Sequence, residues 1–333
     1  MHTGVTCTIP LDTDGKHVGY FELPYSVDRS PFYRIQIPVC HVQNGQGPSV
    51  LLMAGVHGDE YEGKLALARL IRELKPEQIN GSVTILPVAN APAVYNASRC
   101  SPFDDGNLNR MFPGDHAGSP TSRIAHLIEH HLMSGRDYVF DLHSGGTSMA
   151  HMTCVLCEVG YGEARDNAAK SLLGKLGIPF ALTADNGRDS PTTMAAANRA
   201  GCVAVSGEFG GGGTATTDTL AQTYVALDHF MMAIGLTNEP VLGAEVPAQP
   251  TVFINQTGGS GVHTVAMHGW FEPVVEIGDI VVKGQLAGRI VDLVTLTNSP
   301  QEIHFKCDGI VTSRRLHTEV RPGDCVLTVA QFV

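Results

Sequence analysis

Residues 49–75 read SVLLMAGVHGDEYEGKLALARLIRELK, and the fold turns on this stretch. Ser49–Ala54 is a short apolar run ending at Gly55, the pattern of a strand buried on both faces. Tyr61–Lys75 carries Leu67, Leu70, Ile71 and Leu74 at helical spacing, and Pro76 stops it. Strand, glycine-punctuated turn, then helix is the repeating unit of an α/β sheet. The alternation continues downstream. Ser82–Val88 reads as a strand. Ser119 or Thr121 can cap a helix with apolar face Ile124, Leu127, Ile128 and Leu132, which Gly135 can close. Asp137–Leu142, His151–Leu156, Pro179–Thr183 and Cys202–Ser206 are further strand candidates, with helical stretches near 163–176, 190–200 and 216–235. The pattern predicts a sheet that is at least partly parallel, with chemistry in the crevice outside the strand carboxyl ends.

On either side the pattern changes. Residues 1–45 mix β-prone runs with turns and form a β lead-in. Thr237–Pro250, with Pro240, Pro247 and Pro250, reads as a linker, and beyond it the helical period disappears. Short β-prone runs are broken there by turns at Gly278-Asp279, Asp308-Gly309 and Pro322-Gly323-Asp324. The expected division is a catalytic domain over 1–238 and a smaller all-β domain over 239–333. A chain of 333 residues has room for about two such units.

Composition narrows the partners. A formal net charge of −11 with no lysine/arginine block argues against nucleic acid and against a membrane surface. No apolar run reaches the roughly 20 residues that span a bilayer, and the N-terminus lacks a signal-peptide pattern. Eight cysteines scattered over so long a chain fit a reduced cytoplasm. Neither nucleic acid nor a membrane is an expected partner, which leaves a small-molecule partner open.

Four segments carry chemistry. His57 and Glu60, in Gly55-Val-His-Gly-Asp-Glu60, are three apart where the first strand meets its helix, so one turn can bring imidazole and carboxylate together. Read alone, the pair fits a capping histidine and a solvated glutamate as well as two zinc ligands. His143, in Phe140-Asp-Leu-His-Ser144, lies at another strand end where a third ligand is needed, and Asp141 can hold a ligand histidine by its second nitrogen. Two histidines and one carboxylate would leave a tetrahedral zinc ion one open position, a hydrolytic rather than a structural arrangement. Glu208, before Phe209 and four glycines, is a candidate general base; a solvated glutamate before a flexible loop is the alternative. In the loop from Ser98 to Arg110, Arg99 can stabilise an oxyanion, and Asn109 with Arg110 can clamp a carboxylate.

Taken together, HGDE (57–60), NLNRMFPG (107–114), DLHSGG (141–146) and GEFGGGG (207–213) resemble the succinylglutamate desuccinylase/aspartoacylase family of the zinc carboxypeptidase-like superfamily. The resemblance implies a zinc carboxypeptidase-like mixed α/β sheet flanked by helices, with a smaller C-terminal all-β, barrel-sandwich-like domain. It implies one zinc per chain held by His57, Glu60 and His143, with Glu208 as general base/acid. It also implies Arg99 as carbonyl polariser, with Asn109 and Arg110 on the substrate carboxylate. The activity implied is hydrolysis of a short-chain N-acyl amino acid, with N-alpha-acetyl-L-2,4-diaminobutyrate of ectoine degradation favoured over N-acetyl-aspartate or N-succinyl-glutamate. A homo-oligomer, guessed as a dimer, is also expected. A γ-ammonium on the substrate would need an acidic partner. Asp185, Asp189 and Asp218 lie in loop-like stretches, and the sequence does not choose among them.

Other features read as structural. Cys154-x-x-Cys157 has no second pair, and residues i and i+3 of a strand face opposite sides, so plain buried cysteines are expected. His126, His130 and His131 fall on a polar helix face. The glycine runs lack the strand–G-x-G-x-x-G–helix context, and no G-x-S-x-G elbow is present. Lys306 lacks the Met-Lys turn of a carrier domain, so its modification is not expected, and a metal-free, carrier-like scaffold built around the β tail is disfavoured by the presence of all three ligand types plus Glu208.

Overall fold

The computed structural model describes residues 4–243, 250–256 and 259–333. Residues 244–249 of the expected linker, Pro247 among them, lie outside the described residues.

The strand Ser49–Ala54 forms as expected and sits centrally, parallel to Gly81–Leu86 on one side and Tyr138–His143 on the other. Its side chains alternate between two cores. Val50, Leu52 and Ala54 join a cluster with Leu67, Leu70, Leu173 and Phe230; Leu51 and Met53 join a second with Ile124, Leu127, Ile128 and Ala196. Burial on both faces is why this strand reads as an unbroken apolar run rather than an alternating one. Glu62–Glu73, Glu163–Leu173 and Thr217–Ala233 contribute to the first core, Pro120–Leu127 and Thr193–Arg199 to the second.

The sheet continues from Tyr138–His143 to Val203–Glu208 in parallel, then to Cys154–Glu158 in antiparallel, then to Phe180–Ala184, parallel to its neighbour. On the other flank the lead-in supplies two long antiparallel strands, Gly15–Pro24 and Arg34–Asn44, the latter paired with Gly81–Leu86. The architecture is thus a mixed α/β sheet flanked by helices. Strand ends differ from expectation by one or two residues, and the run expected over 151–156 divides into Met149–His151 and Cys154–Glu158. The helix after Ser119 also differs: it is α-helical over Pro120–Leu127 and widens to a π-helix over Ile128–Met133. Ser119 makes no side-chain cap, and the Thr121 hydroxyl turns to Asp104 (2.7 Å). The wider turn buries Ile128, Leu132 and Met133 and leaves His130 and His131 exposed. Cys154 and Cys157 enter different apolar clusters, as strand geometry demands.

Beyond residue 250 the described residues form β-strands and their connecting turns. A smaller antiparallel sheet is built from Gln301–His304, Leu286–Val291, Gly269–Pro273 and Glu319–Val320. It packs on its own core of Val265, Phe271, Val281, Ile290, Val311 and Leu327. The Gly-Asp turns form because aspartates accept from nearby backbone N–H groups, Asp279 from Glu276 and Asp324 from Arg321, each at 2.9 Å. Hydrogen bonding is continuous across the expected 238/239 division: Val252–Gln256 pairs in parallel with Phe180–Ala184 and antiparallel with Cys325–Phe332. A second stitch joins Met149–His151 to Gly309–Arg315. The Lys306 ammonium donates to the Val262 carbonyl (3.0 Å), unlike the free arm of a carrier domain. Among the described residues, no helix is long and apolar enough to cross a membrane.

Candidate active site

The turn between Ala54 and Glu62 places the first two site residues. Gly55 adopts φ +72°, which an L side chain rarely tolerates. Gly58 lies against the chain at 93–98: its N–H donates to the Ser98 carbonyl (2.9 Å), and an added Cβ would stand 2.0 Å from the Ala93 carbonyl oxygen. The loop is thereby pressed onto the segment that carries Arg99. The buried Lys64 ammonium donates to the Gly58 carbonyl (2.6 Å) and Asp59 accepts from Thr147 N–H (2.8 Å), fixing the turn from two more sides.

His57, Glu60 and His143 converge. Glu60 Oε1 lies 2.7 Å from His57 Nδ1, and Oε2 lies 2.9 Å from His143 Nδ1. One donor atom from each residue falls within 4.8 Å of the other two, and all three residues are buried. The outer ring nitrogens are held as well: His57 Nε2 by Asn107 Oδ1 (3.1 Å) and His143 Nε2 by Asp141 Oδ2 (2.7 Å). Both Nδ1 atoms therefore face the carboxylate, the inward donor set a divalent ion requires. Burial alone would raise the Glu60 carboxyl, but His143 and then His57 outweigh it and hold it well below its usual range. Burial likewise opposes protonation of His143, and Asp141 and Glu60 reverse that effect and raise it.

A cavity of about 360 Å³ opens onto this cluster. Glu208 lies on its wall, at the last position of its strand and in register with His143 on the neighbouring strand. Its Oε2 is buried with no hydrogen-bond partner. Arg99, Asn109 and Arg110 line the same cavity. Arg99 Nη1 stands 3.6 Å from Glu60 Oε1, and its side chain is 47% exposed. Asn109 Oδ1 accepts from Thr193 N–H (2.8 Å) and stands 3.1 Å from Thr193 Oγ1. Partial desolvation, then the neighbouring Arg99 charge, pull the guanidinium of the solvent-exposed Arg110 below its usual value.

All seven residues singled out in the sequence thus meet around one cavity. Sequence reasoning missed three that act on them or share the wall: Asn107, Thr193 and Glu158. Asn107 belongs to the same Asn-Leu-Asn-Arg run and was within reach as a histidine partner. Thr193 and Glu158 gave no local signal. Asp185, Asp189 and Asp218 are exposed and do not line the cavity, whereas Glu158, at the end of Cys154–Glu158, does.

A family profile described as succinylglutamate desuccinylase/aspartoacylase catalytic domain matches residues 46–234. The chain belongs to this family. It is 34% identical over 329 residues to an N-alpha-acetyl-L-2,4-diaminobutyric acid deacetylase of Halomonas elongata, covering 99% of this chain and 95% of that protein. Among solved structures it resembles the product-bound ectoine utilization protein EutE (DoeB) of Ruegeria pomeroyi, at 31% identity and TM-score 0.92 over 98% of each chain. It also resembles a succinylglutamate desuccinylase/aspartoacylase of Rhodobacter sphaeroides, at 29% identity and TM-score 0.92 over 99% of each. The seven site residues all fall inside the span matched by the succinylglutamate desuccinylase/aspartoacylase profile.

Proposed function

We propose that this protein hydrolyses the amide bond of a short-chain N-acyl amino acid, N-alpha-acetyl-L-2,4-diaminobutyrate being its substrate in ectoine degradation, to give acetate and L-2,4-diaminobutyrate. One observation carries the reading: a buried His57–Glu60–His143 cluster shares a cavity with Glu208, whose Oε2 has no partner. The substrate is supported by the name of the Halomonas relative and by the EutE structure.

The two inward imidazole nitrogens and the Glu60 carboxylate suit one zinc ion per chain. Zinc held there would supply a Lewis acid for the amide carbonyl and lower the pKa of water. The rest of the chemistry belongs to the chain. Glu208 takes a proton from the attacking water as its oxygen bonds to the acyl carbon. Arg99 faces the oxyanion that develops on the carbonyl. As the carbon–nitrogen bond breaks, Glu208 returns the proton to the leaving amine. Asn109, its Oδ1 held by Thr193, offers Nδ2 to the α-carboxylate beside the Arg110 guanidinium. A cytoplasmic location is supported by eight cysteines that form no disulfide.

Hydrolysis assayed on N-acetyl-diaminobutyrate, N-acetyl-aspartate and N-succinyl-glutamate tests the reading. The first is cleaved fastest, a chelator abolishes turnover, and zinc restores it. Preference for either acidic substrate would reassign the substrate, and full activity in metal-free protein would remove the metal.

A further inference from the structure

Glu158 is the group the mechanism leaves unused. It ends the strand Cys154–Glu158, is 4% exposed, and lines the cavity that holds His57, His143 and Glu208. Among the described residues its oxygens accept only from neutral donors: Asn186 Nδ2 (2.9 Å) and Thr192 Oγ1 (3.3 Å) at Oε1, and the Tyr161 hydroxyl (3.0 Å) at Oε2. Among the described residues no lysine, arginine or histidine forms an ion pair with it. Arg199, whose charge acts on Tyr161, is engaged by Glu129 at 2.9 and 3.0 Å. A carboxylate shut away from water without a cation is unfavourable unless something supplies one.

The cavity holds opposed charges. Arg99, Arg110 and Glu158 all line it. Thr192 and Thr193 tie Asn109 to Glu158. Thr193 holds Asn109 and also donates to Asp141, and Thr192, the next residue, donates to Glu158. Their Cα atoms are about 3.8 Å apart across a trans peptide. A ligand with a carboxylate at Asn109 and Arg110 therefore meets Glu158 a short side chain away. In a 2,4-diamino acid the carboxylate carbon and the γ-nitrogen are separated by four bonds, at most about 5 Å.

We propose that Glu158 receives the side-chain ammonium of the substrate, and so selects N-acyl amino acids with a short cationic side chain. This assignment rests on the deacylase reading above and extends it to the side chain. The same carboxylate disfavours an aspartate or glutamate side chain, because it would bring two buried anions together with no cation between them.

The test compares N-alpha-acetyl-L-2,4-diaminobutyrate with N-acetyl-L-norvaline, in which a methyl replaces the ammonium at nearly constant shape. The readout is the ratio of the two kcat/KM values. In the unmodified zinc-loaded protein the ratio strongly favours the cationic substrate. In Glu158→Gln, which keeps the shape and can still accept hydrogen bonds, the ratio falls by roughly 10- to 100-fold, chiefly through KM. Glu158→Asp falls in between. If both substrates lose equally, so that the ratio stands, Glu158 is only structural and the assignment is overturned. Should Glu158→Gln fail to fold, the unmodified protein carries the test: equal efficiency on the two substrates overturns the assignment. A protein that cleaves N-acetyl-aspartate and neither of these two substrates overturns the diaminobutyrate assignment, and Glu158's role with it, while one that cleaves no N-acyl amino acid overturns the deacylase reading itself; both results are distinct from an unchanged ratio.

Discussion

The floor of the cavity and its rim are built differently. On the floor, His57, Glu60 and His143 have side chains 3–8% exposed, and each is held by at least two other groups. At the rim, Arg99 is 47% exposed and meets Glu60 at 3.6 Å, and Arg110 is exposed, with its Nη1 on the carbonyl of its own neighbour, Asn109 (2.7 Å). Rigid support suits groups that must hold an ion and a proton acceptor in fixed relation. Loosely tied arginines suit a ligand that has to enter and leave. The contrast makes a claim about where substitution hurts most: a change on the floor should act on turnover or metal, and a change at the rim on substrate binding.

Glu208 gives the largest expected effect. It lines the cavity in register with His143 of the floor. Glu208→Gln keeps the shape and removes the proposed base. Turnover is expected to fall by about 10²- to 10⁴-fold while zinc content, measured by elemental analysis, stays at one per chain. Loss of the metal along with activity would show that Glu208 belongs to the floor as a ligand, and the contrast would have to be redrawn.

Asp141 sharpens the claim about support. It is fully buried, and its Oδ2 accepts from both His143 Nε2 and Thr193 Oγ1. Asp141→Asn leaves an acceptor for the imidazole but removes the charge behind it. Zinc affinity is expected to weaken by about 10- to 100-fold, read by competition with a chelator. An unchanged affinity would mean that the histidine is oriented by packing alone.

Legibility in the sequence divides along similar lines. The central strand was readable because burial on both faces leaves an unbroken apolar run, and His57, Glu60, His143 and Glu208 because they lie at or just beyond strand ends. His57 and Glu60 share one turn, and His143 and Glu208 each close a strand. Support from a distance was not readable. Thr193 reaches Asp141 across 52 positions, and Glu158 looks like the ordinary last residue of an apolar strand. The joining of Val252–Gln256 to Phe180–Ala184 escaped for the same reason: strand pattern reports a face, not a partner. The π-helical turn after Leu127 keeps the apolar residues inward, so the periodicity there looked α-helical.

Arg110 carries the smallest of these effects and the most specific. Its guanidinium lines the cavity beside Asn109, yet among the described residues no buried side chain braces it, and Nη1 donates to a backbone carbonyl. An exposed arginine contributes less than a buried one because water competes for both partners. Arg110→Ala should therefore leave zinc content and the floor intact and raise KM for N-acetyl-diaminobutyrate by about tenfold, within the range for a hydrogen bond to a charged group. The discriminating control is the carboxamide of the same substrate, which has no α-carboxylate to grip. If KM rises far less for the amide, the rim arginine reads the carboxylate. If both rise alike, Arg110 only shapes the entrance, and recognition at the rim falls to Asn109, whose carboxamide is the one rim group braced from behind, by Thr193.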